Sequence, residues 1–225
     1  MALILSIETA SVNCSVSLFQ DNQLIAFRED RSPDYTHGEK LHLFIEDVLK
    51  QARILPAQLN AVAVSKGPGS YTGLRIGVSA AKGLCFALGI PLISIPTLLI
   101  MARSLPNADG VLIPMLDARR MEVYAAVYDA ELNLLQSTWA EVLDINSFAE
   151  YRNRGIVHLL GSGAEKCQGL FTDRVFKFHP EILPSSLEMG SLAYEAYSDK
   201  KFEDVAYFEP FYLKDFIVTV KKPVN

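Results

Sequence analysis

The pattern of apolar and polar residues predicts strands first and then an amphipathic helix. Short apolar-rich runs at 2–7, 14–19 and 23–28 predict three strands, with Asp21 and Asn22 in a tight turn between the second and third. Apolar residues then recur at helical spacing over 38–52. One stripe of that helix carries Leu41, Phe44, Ile45, Val48, Leu49 and Ala52. Leu43 lies off the stripe, where it is free to contact a partner.

Residues 61–88 form the most informative stretch of the chain. The small and β-branched run 61–65 predicts a buried strand, and Gly67-Pro68-Gly69 predicts a sharp turn after it. Ser70 or Thr72 is suited to cap the next helix, over 72–88. That helix is apolar nearly all round, so it must be covered on every side. Its own sheet covers one side, and the other side needs a second cover.

Small residues recur at intervals of four along this second helix, at Gly73, Gly77 and Ala81. Such a row lets another helix approach closely, a rule best documented in membranes but steric in origin. We therefore predict a partner interface on the two helices. The residues assigned to it are Leu41, Leu43, Phe44, Gly73, Gly77 and Ala81. The alternative is that another helix of the same chain supplies the cover.

The same order of elements is predicted twice. After a strand at 92–95 and a helix from Thr97 to about residue 104, strands follow at 111–116, 122–128 and 135–142. A helix over 146–154, a strand at 157–160, a Gly-rich loop with a further helix, a strand at 175–178 and a helix over 187–198 complete the second set. Two βββαβαβα-type halves, 1–105 and 106–225, with a cleft between them suit the actin-like ATPase (ASKHA, ribonuclease H-like) fold.

Composition narrows the class of protein. The 225 residues carry a net charge of −5, with a pI near 5.4, which argues against a chain that grips nucleic acid unaided. Cys14, Cys85 and Cys167 are far apart and show no metal or redox spacing. We expect buried, reduced thiols in a cytoplasmic protein. The start of the chain is expected to be a strand rather than a signal peptide, and nothing resembles a membrane span.

Metal chemistry is not expected from the four histidines. His37 and His42 are five apart, about 140° around a helix, so they cannot chelate one ion from a regular helix. His158 and His179 are expected to stand alone. The sequence therefore predicts no metal site.

Nucleotide and protease chemistry are also poorly supported. The first hairpin has no glycine in its turn, and the turn at 117–121 carries bulky residues where a phosphate loop needs glycines. Gly161-Ser162-Gly163 is a weak match to an adenosine-side loop. The turn at Gly67 lacks the Lys-Ser or Lys-Thr of a P-loop. Ser65, Ser70 and Cys85 have no adjacent histidine motif for nucleophilic catalysis.

Several motifs resemble the TsaB family, which is also labelled glycoprotease-like or peptidase M22-like. The segments that carry the resemblance are 4–10 (ILSIETA), 14–16 (CSV), 67–77 (GPGSYTGLRIG), 81–83 (AKG), 89–92 (GIPL), 117–119 with 122–124 (DAR and EVY), and 210–214 (PFYLK). It is densest over 1–128 and thin between 130 and 205. The run at 67–77 is highly specific.

The resemblance implies a non-catalytic scaffold or activator subunit in the synthesis of N6-threonylcarbamoyladenosine in tRNA, next to the anticodon. It implies pairing with the catalytic paralogue TsaD through the two first-half helices, a TsaE-like ATPase as a further partner, contact with tRNA only through the complex, and a possible homodimer. ATP and metal belong to the complex, and the isolated chain is expected to need no cofactor. The alternatives are a stand-alone actin-like ATPase or kinase, and a glycoprotease-type peptidase.

Overall fold

Two five-stranded sheets with the same strand order organise the computed structural model, which describes residues 1–32 and 36–214. In the first sheet the order is β3-β2-β1-β4-β5. In the second sheet it is β8-β7-β6-β9-β10, so each sheet places its third, second, first, fourth and fifth strands side by side. In both sheets the first three strands pair antiparallel and the last two pair parallel. The duplicated α/β architecture expected for an actin-like fold is confirmed.

The strands and helices follow the hydrophobic pattern closely. The strands are β1 Leu3–Glu8, β2 Cys14–Gln20, β3 Gln23–Asp30, β4 Ala61–Ser65, β5 Leu92–Ile95, β6 Val111–Asp117, β7 Glu122–Asp129, β8 Leu134–Val142, β9 Val157–Leu160 and β10 Phe176–His179. The helices are α1 His37–Ala52, α2 Tyr71–Leu88, α3 Thr97–Arg103, α4 Ala164–Cys167 and α5 Met189–Ser198. Short 3-10 turns cover Pro56–Gln58, Ala149–Arg154 and Ser186–Glu188.

Two predicted helices differ from what is found. The helix predicted over 146–154 is reduced to the 3-10 turn Ala149–Arg154, because Phe148 adopts a left-handed backbone (φ 62°) while its ring packs in the core. The helix predicted over 187–198 begins at Met189, after the 3-10 turn Ser186–Glu188. Thr97 does not cap α3: Pro96 holds that position, and the Thr97 hydroxyl accepts a hydrogen bond from the Gly67 amide at 3.1 Å.

We call the sheet of β1–β5 sheet 1 and the sheet of β6–β10 sheet 2. Sheet 1 is covered on both faces. Helices α1 and α2 pack on the face that carries Leu5, Val62 and Val64. Helix α5 packs on the opposite face through Met189 and Ala193. The sequence places α5 in the half 106–225, yet its hydrophobic contacts are with sheet 1; the boundary at residue 105 stays a prediction.

Helix α3 joins the cores of the two halves. Its Ile100 contributes to the cluster on sheet 1, whereas Leu98 and Met101 pack against Leu112 and Leu160 of sheet 2. The chain then passes from α5 along the first half, where Glu203 pairs with Leu92 at the edge of sheet 1. Among the described residues, no helix combines the length and hydropathy needed to cross a bilayer. The tail residue Phe216 lies outside the described residues.

Candidate interaction surface

The turn between β4 and α2 depends on close backbone contacts. Gly67 has φ 109°, a region that favours glycine, and a Cβ on Gly69 would lie 2.4 Å from the carbonyl oxygen of Ala10. The Ser70 hydroxyl accepts a hydrogen bond from the Gly73 amide at 3.2 Å and so caps α2. The glycine turn therefore seats the start of α2 against the β1–β2 turn of the same chain.

The row of small residues on α2 faces the protomer's own interior, which corrects the geometry expected for the interface. A Cβ on Gly73 would lie 2.1 Å from the carbonyl oxygen of Thr9, and one on Gly77 would lie 2.2 Å from the Thr9 hydroxyl. Ala81 and Leu41 are fully buried in the cluster on sheet 1. These four predicted interface residues are therefore covered within the chain and are not a free surface.

The outward side of the two helices carries different residues. Leu43 is 58% exposed on α1, and Phe86 is 85% exposed on α2. Phe44 is half-buried beside them. Along α2 the exposed and half-buried positions follow one stripe: Thr72, Arg75, Ile76, Ser79, Ala80, Gly83, Phe86 and Ala87. We call this stripe together with Leu43 the α1–α2 outer face.

The α1–α2 outer face is flat in its middle and apolar at its end. Ser79, Ala80 and Gly83 have short side chains, and the Cβ position of Gly83 has no atom within 4 Å. Phe86 projects beyond them. A helix of a second chain is able to approach the short side chains closely while packing on the ring.

An apolar groove of about 480 Å³ adjoins this face at the end of α1. Its apolar lining comes from Ile45, Leu49, Ile54, Leu55 and Leu84. Leu55 is 69% exposed at its rim. A monomer that exposes Leu55, just after α1, and Phe86, on α2, leaves apolar area in water that a docked partner would remove.

The C-terminal segment borders the other side of α2. The Lys82 ammonium donates to the carbonyl oxygens of Ala206 (3.2 Å) and Phe208 (2.8 Å). Arg75 donates to the Tyr212 hydroxyl at 3.3 Å. The outer face is thus bounded by the tail along one side and by α1 along the other.

The β1–β2 turn uses its amides within the chain. The Ala10 amide donates to the Glu8 carboxylate at 2.5 Å, and the Asn13 amide donates to the Ser11 hydroxyl at 3.1 Å. Glu8 is fully buried, and burial raises its pKa to about 7. A phosphate loop needs amides that point at the ligand, and these two are already hydrogen-bonded.

The β6–β7 turn is closed in the same way. The Arg119 amide donates to the Asp117 carboxylate at 2.6 Å, and the Asp117 amide donates to the Ser162 hydroxyl at 3.1 Å. Lys166 forms an ion pair with Asp117 at 2.5 Å. Arg119 and Arg120 both have left-handed backbones and exposed side chains. The polar groups of Asp117 are therefore used within the chain, by the Arg119 amide, the Ser162 hydroxyl and Lys166.

A chain segment lies on the polar face of sheet 1 that is turned away from α1 and α2. Asn13 donates to the Pro184 carbonyl oxygen at 2.8 Å, and Ser17 donates to the Ser186 carbonyl oxygen at 2.7 Å. The Ser186 amide in turn donates to the Ser15 hydroxyl at 2.9 Å. The backbone of residues 184–186 therefore forms hydrogen bonds with the side chains of Asn13, Ser15 and Ser17.

The histidines fall into two groups. His37 is buried, with Nε2 2.7 Å from the Ser11 carbonyl oxygen, and His42 is exposed on α1. His158 and His179, expected to stand alone, have ring nitrogens 3.1 Å apart. The sequence could not reveal this pair, because it depends on the pairing of β9 with β10. Within 1–32 and 36–214, no group of three or more His, Cys, Asp or Glu side chains is placed to hold one metal ion.

A family model and several known proteins match the sequence of this chain. The family model "TsaD: tRNA N6-adenosine threonylcarbamoyltransferase" matches residues 34–165. The chain is 30% identical to the Escherichia coli tRNA threonylcarbamoyladenosine biosynthesis protein TsaB, with 98% of each chain covered. The Haemophilus influenzae protein of the same name is 27% identical, with 98% of this chain and 97% of that protein covered.

A solved structure from Pseudomonas aeruginosa shares the fold. The structure of YeaZ from that organism matches with a TM-score of 0.82 at 24% identity, covering 95% of this chain and all of the other. The match to the Escherichia coli protein over nearly its full length places the chain in a family that takes part in tRNA threonylcarbamoyladenosine biosynthesis. The chain belongs to the TsaB family.

Proposed function

We propose that this chain is a non-catalytic scaffold and activator subunit that pairs with a TsaD-like catalytic paralogue to make N6-threonylcarbamoyladenosine in tRNA. The observation that carries the proposal is the exposure of Phe86 and Leu43 on two neighbouring helices. Large apolar side chains exposed on helices that pack side by side, unlike ones scattered singly, are typical of a surface that is covered in an assembly.

The α1–α2 outer face suits a helical partner of similar fold. The short side chains of Ser79, Ala80 and Gly83 lie between Ile76 and Phe86, so a second pair of helices can pack at close range. A paralogue with the same architecture carries helices at the equivalent positions. The same face can serve a second copy of this chain, so a homodimer is the expected competitor of the heterodimer.

The absence of catalysis by the isolated chain is supported by its two turns. The amides of Ala10 and Arg119 donate to carboxylates of their own turns. Cys85, a candidate nucleophile for the peptidase alternative, is buried, and burial raises its pKa to about 11. ATP and metal are therefore assigned to the complex, where a TsaE-like ATPase also acts, and tRNA is contacted mainly by the partners. The chain would work where tRNA is modified, in the cytoplasm.

The test is binding of the purified TsaD-like paralogue to wild-type chain and to Phe86→Asp, measured by analytical ultracentrifugation. The aspartate places a charge within the proposed contact and removes an aromatic anchor, so we expect affinity to fall at least tenfold. Val142→Asp is the matched control, because Val142 is 69% exposed on β8 of the other sheet. We expect it to bind as the wild type does.

Unchanged affinity of Phe86→Asp would reject the α1–α2 outer face as the interface. A reconstituted assay for threonylcarbamoylation of tRNA separates this from the activator role, since the paralogue should need the chain for full activity. Tight calorimetric binding of Mg-ATP with turnover by the isolated chain would favour the ATPase or kinase alternative. Cleavage of a sialoglycoprotein by the isolated chain would favour the peptidase.

A further inference from the structure

Two histidines of sheet 2 face each other at the edge of the sheet. His158 lies on β9 and His179 ends β10, and the parallel register pairs His158 with Lys177 and His179 with Leu160. Both rings therefore project from one face. His158 Nδ1 is 3.1 Å from His179 Nε2, and the ring planes are inclined by 30°.

The outer nitrogen of each ring is next to an oxygen. His158 Nε2 is 3.1 Å from the backbone carbonyl oxygen of Asp109 and 3.6 Å from its carboxylate. His179 Nδ1 is 3.8 Å from the carboxylate of Glu181. Protons on these outer nitrogens leave a lone pair on each inner nitrogen. The Asp109 carbonyl oxygen, at hydrogen-bond distance, is a usual kind of support for a metal-binding imidazole, whereas the Glu181 carboxylate is too far away to accept a hydrogen bond.

We propose that His158 and His179 form a two-imidazole site for a divalent transition-metal ion of the zinc and copper class. Imidazole nitrogens bind these ions at roughly 2.0–2.1 Å. At such bond lengths, nitrogens 3.1 Å apart subtend about 100° at the ion. That angle lies between the square-planar and tetrahedral values, so the separation of the two nitrogens suits neighbouring ligands of one ion.

The surroundings favour this class of ion. The side chain of His158 is 11% exposed and that of His179 is 24% exposed, so the inner nitrogens are partly shielded yet reachable. Asp109 and Glu181 supply negative charge nearby, and water would complete the coordination.

A bound ion would act on the structure rather than on the reaction. Asp109 lies between α3 and β6, so the ion would fasten the edge of sheet 2 to the connection between the halves. An ion that binds the folded chain but not the unfolded chain raises the stability of the fold by mass action. Metal binding is therefore expected to raise the melting temperature.

The first test titrates tag-free, metal-free chain with Zn²⁺ and follows heat and melting temperature. We expect one ion per chain and a rise in melting temperature. His179→Gln should lose both, because only one imidazole remains. His42→Gln is the control, since His42 is an exposed histidine of α1 that is not part of the pair. Absence of saturable binding, or equal binding by His179→Gln, would overturn the proposal.

A second measurement does not depend on a histidine variant. Electron paramagnetic resonance of the wild-type chain with one equivalent of Cu²⁺ should show coupling to two imidazole nitrogens. Glu181→Gln keeps both ligands but removes the negative charge beside His179, so its affinity for Zn²⁺ should fall. A spectrum with one nitrogen or none would show that the pair is only a hydrogen bond between rings.

Discussion

Thr9 donates its hydroxyl hydrogen to the carbonyl oxygen of Gly73 across 2.8 Å in the interior of the first half. This bond joins the β1–β2 turn to the first turn of α2. The two segments come this close because residue 73 has no side chain. The glycines of α2 are thus part of how the protomer folds, and the exposed side of the helix is the opposite one.

Gly73→Ala should destabilise the monomer by about 2 kcal/mol. The new Cβ would lie 2.1 Å from the Thr9 carbonyl oxygen, so backbone must move, and this cost exceeds the gain in helix propensity. Gly83→Ala is the matched control: its Cβ meets open space, and we expect a gain of roughly 0.5–1 kcal/mol. Urea unfolding measures both. Equal stability of the two variants would contradict the packing described.

Gly77→Ala offers a sharper comparison, because its conflict is with a side-chain atom. A Cβ there lies 2.2 Å from the Thr9 hydroxyl oxygen, which Thr9→Ala removes. The loss caused by Gly77→Ala should therefore shrink in the Thr9→Ala background. The loss caused by Gly73→Ala should persist there, since the Thr9 carbonyl remains. A double-mutant cycle without this difference would refute the assignment.

Glu8 should make stability fall as pH rises. Its pKa is about 7 in the folded chain and near 4.5 when unfolded, so between these values the folded state binds more protons. The stabilisation is complete below pH 4.5 and lost above about pH 7. For Glu8→Gln, which cannot ionise, we expect the free energy of unfolding to gain about 3 kcal/mol over the wild type between pH 4.5 and 8. A difference that does not vary with pH would contradict an uncharged, buried Glu8.

The cysteines should resist alkylation in the native state. All three are buried, and burial raises the pKa of Cys14 and Cys167 to about 12 and that of Cys85 to about 11. We expect Ellman's reagent to titrate no thiol until the chain unfolds and then to titrate three. Fast reaction of one thiol in the folded protein would reopen the question of a cysteine nucleophile.

Lys82→Met should loosen the tail without unfolding the core. The Lys82 ammonium, which the variant lacks, donates to the carbonyl oxygens of Ala206 and Phe208. Hydrogen bonds from a charged group contribute roughly 1.5–3 kcal/mol to stability. The Phe211 amide, which donates to the Lys66 carbonyl oxygen at 2.7 Å, should exchange its hydrogen about tenfold faster. Lys50→Met is the control, since Lys50 pairs only with exposed Glu46 among the described ion pairs. Unchanged exchange at Phe211 would mean that the tail is held elsewhere.

Sequence periodicity predicted most of the first half because its elements are long or strongly patterned. Strands Ala61–Ser65 and Leu92–Ile95 agree with the predicted bounds residue for residue, and α1 and α2 differ by one residue at the start. The second half was harder, since the turn Ala149–Arg154 is only six residues long and begins after a left-handed Phe148. Local pattern does not reveal such an exception.

The partner interface on α1 and α2 stays a prediction, but the structure buries three of the residues assigned to it, Gly73, Gly77 and Ala81, within the chain. Spacing of four showed that Gly73, Gly77 and Ala81 share a stripe, but an apolar helix has no polar stripe to mark which side faces water. The exposure of Phe86 could not be predicted for the same reason. The pairing of His158 with His179 likewise depends on strand register, which no local pattern in the sequence encodes.

Residues 184–186 set a limit on protein engineering. Three side chains, those of Asn13, Ser15 and Ser17, are committed to the backbone of this segment. Exchanging single side chains cannot open that side of the sheet, because main chain occupies it. A designer who wished to install a ligand pocket there would have to reroute the link between β10 and α5, and then provide new hydrogen-bond acceptors and donors for Asn13, Ser15 and Ser17.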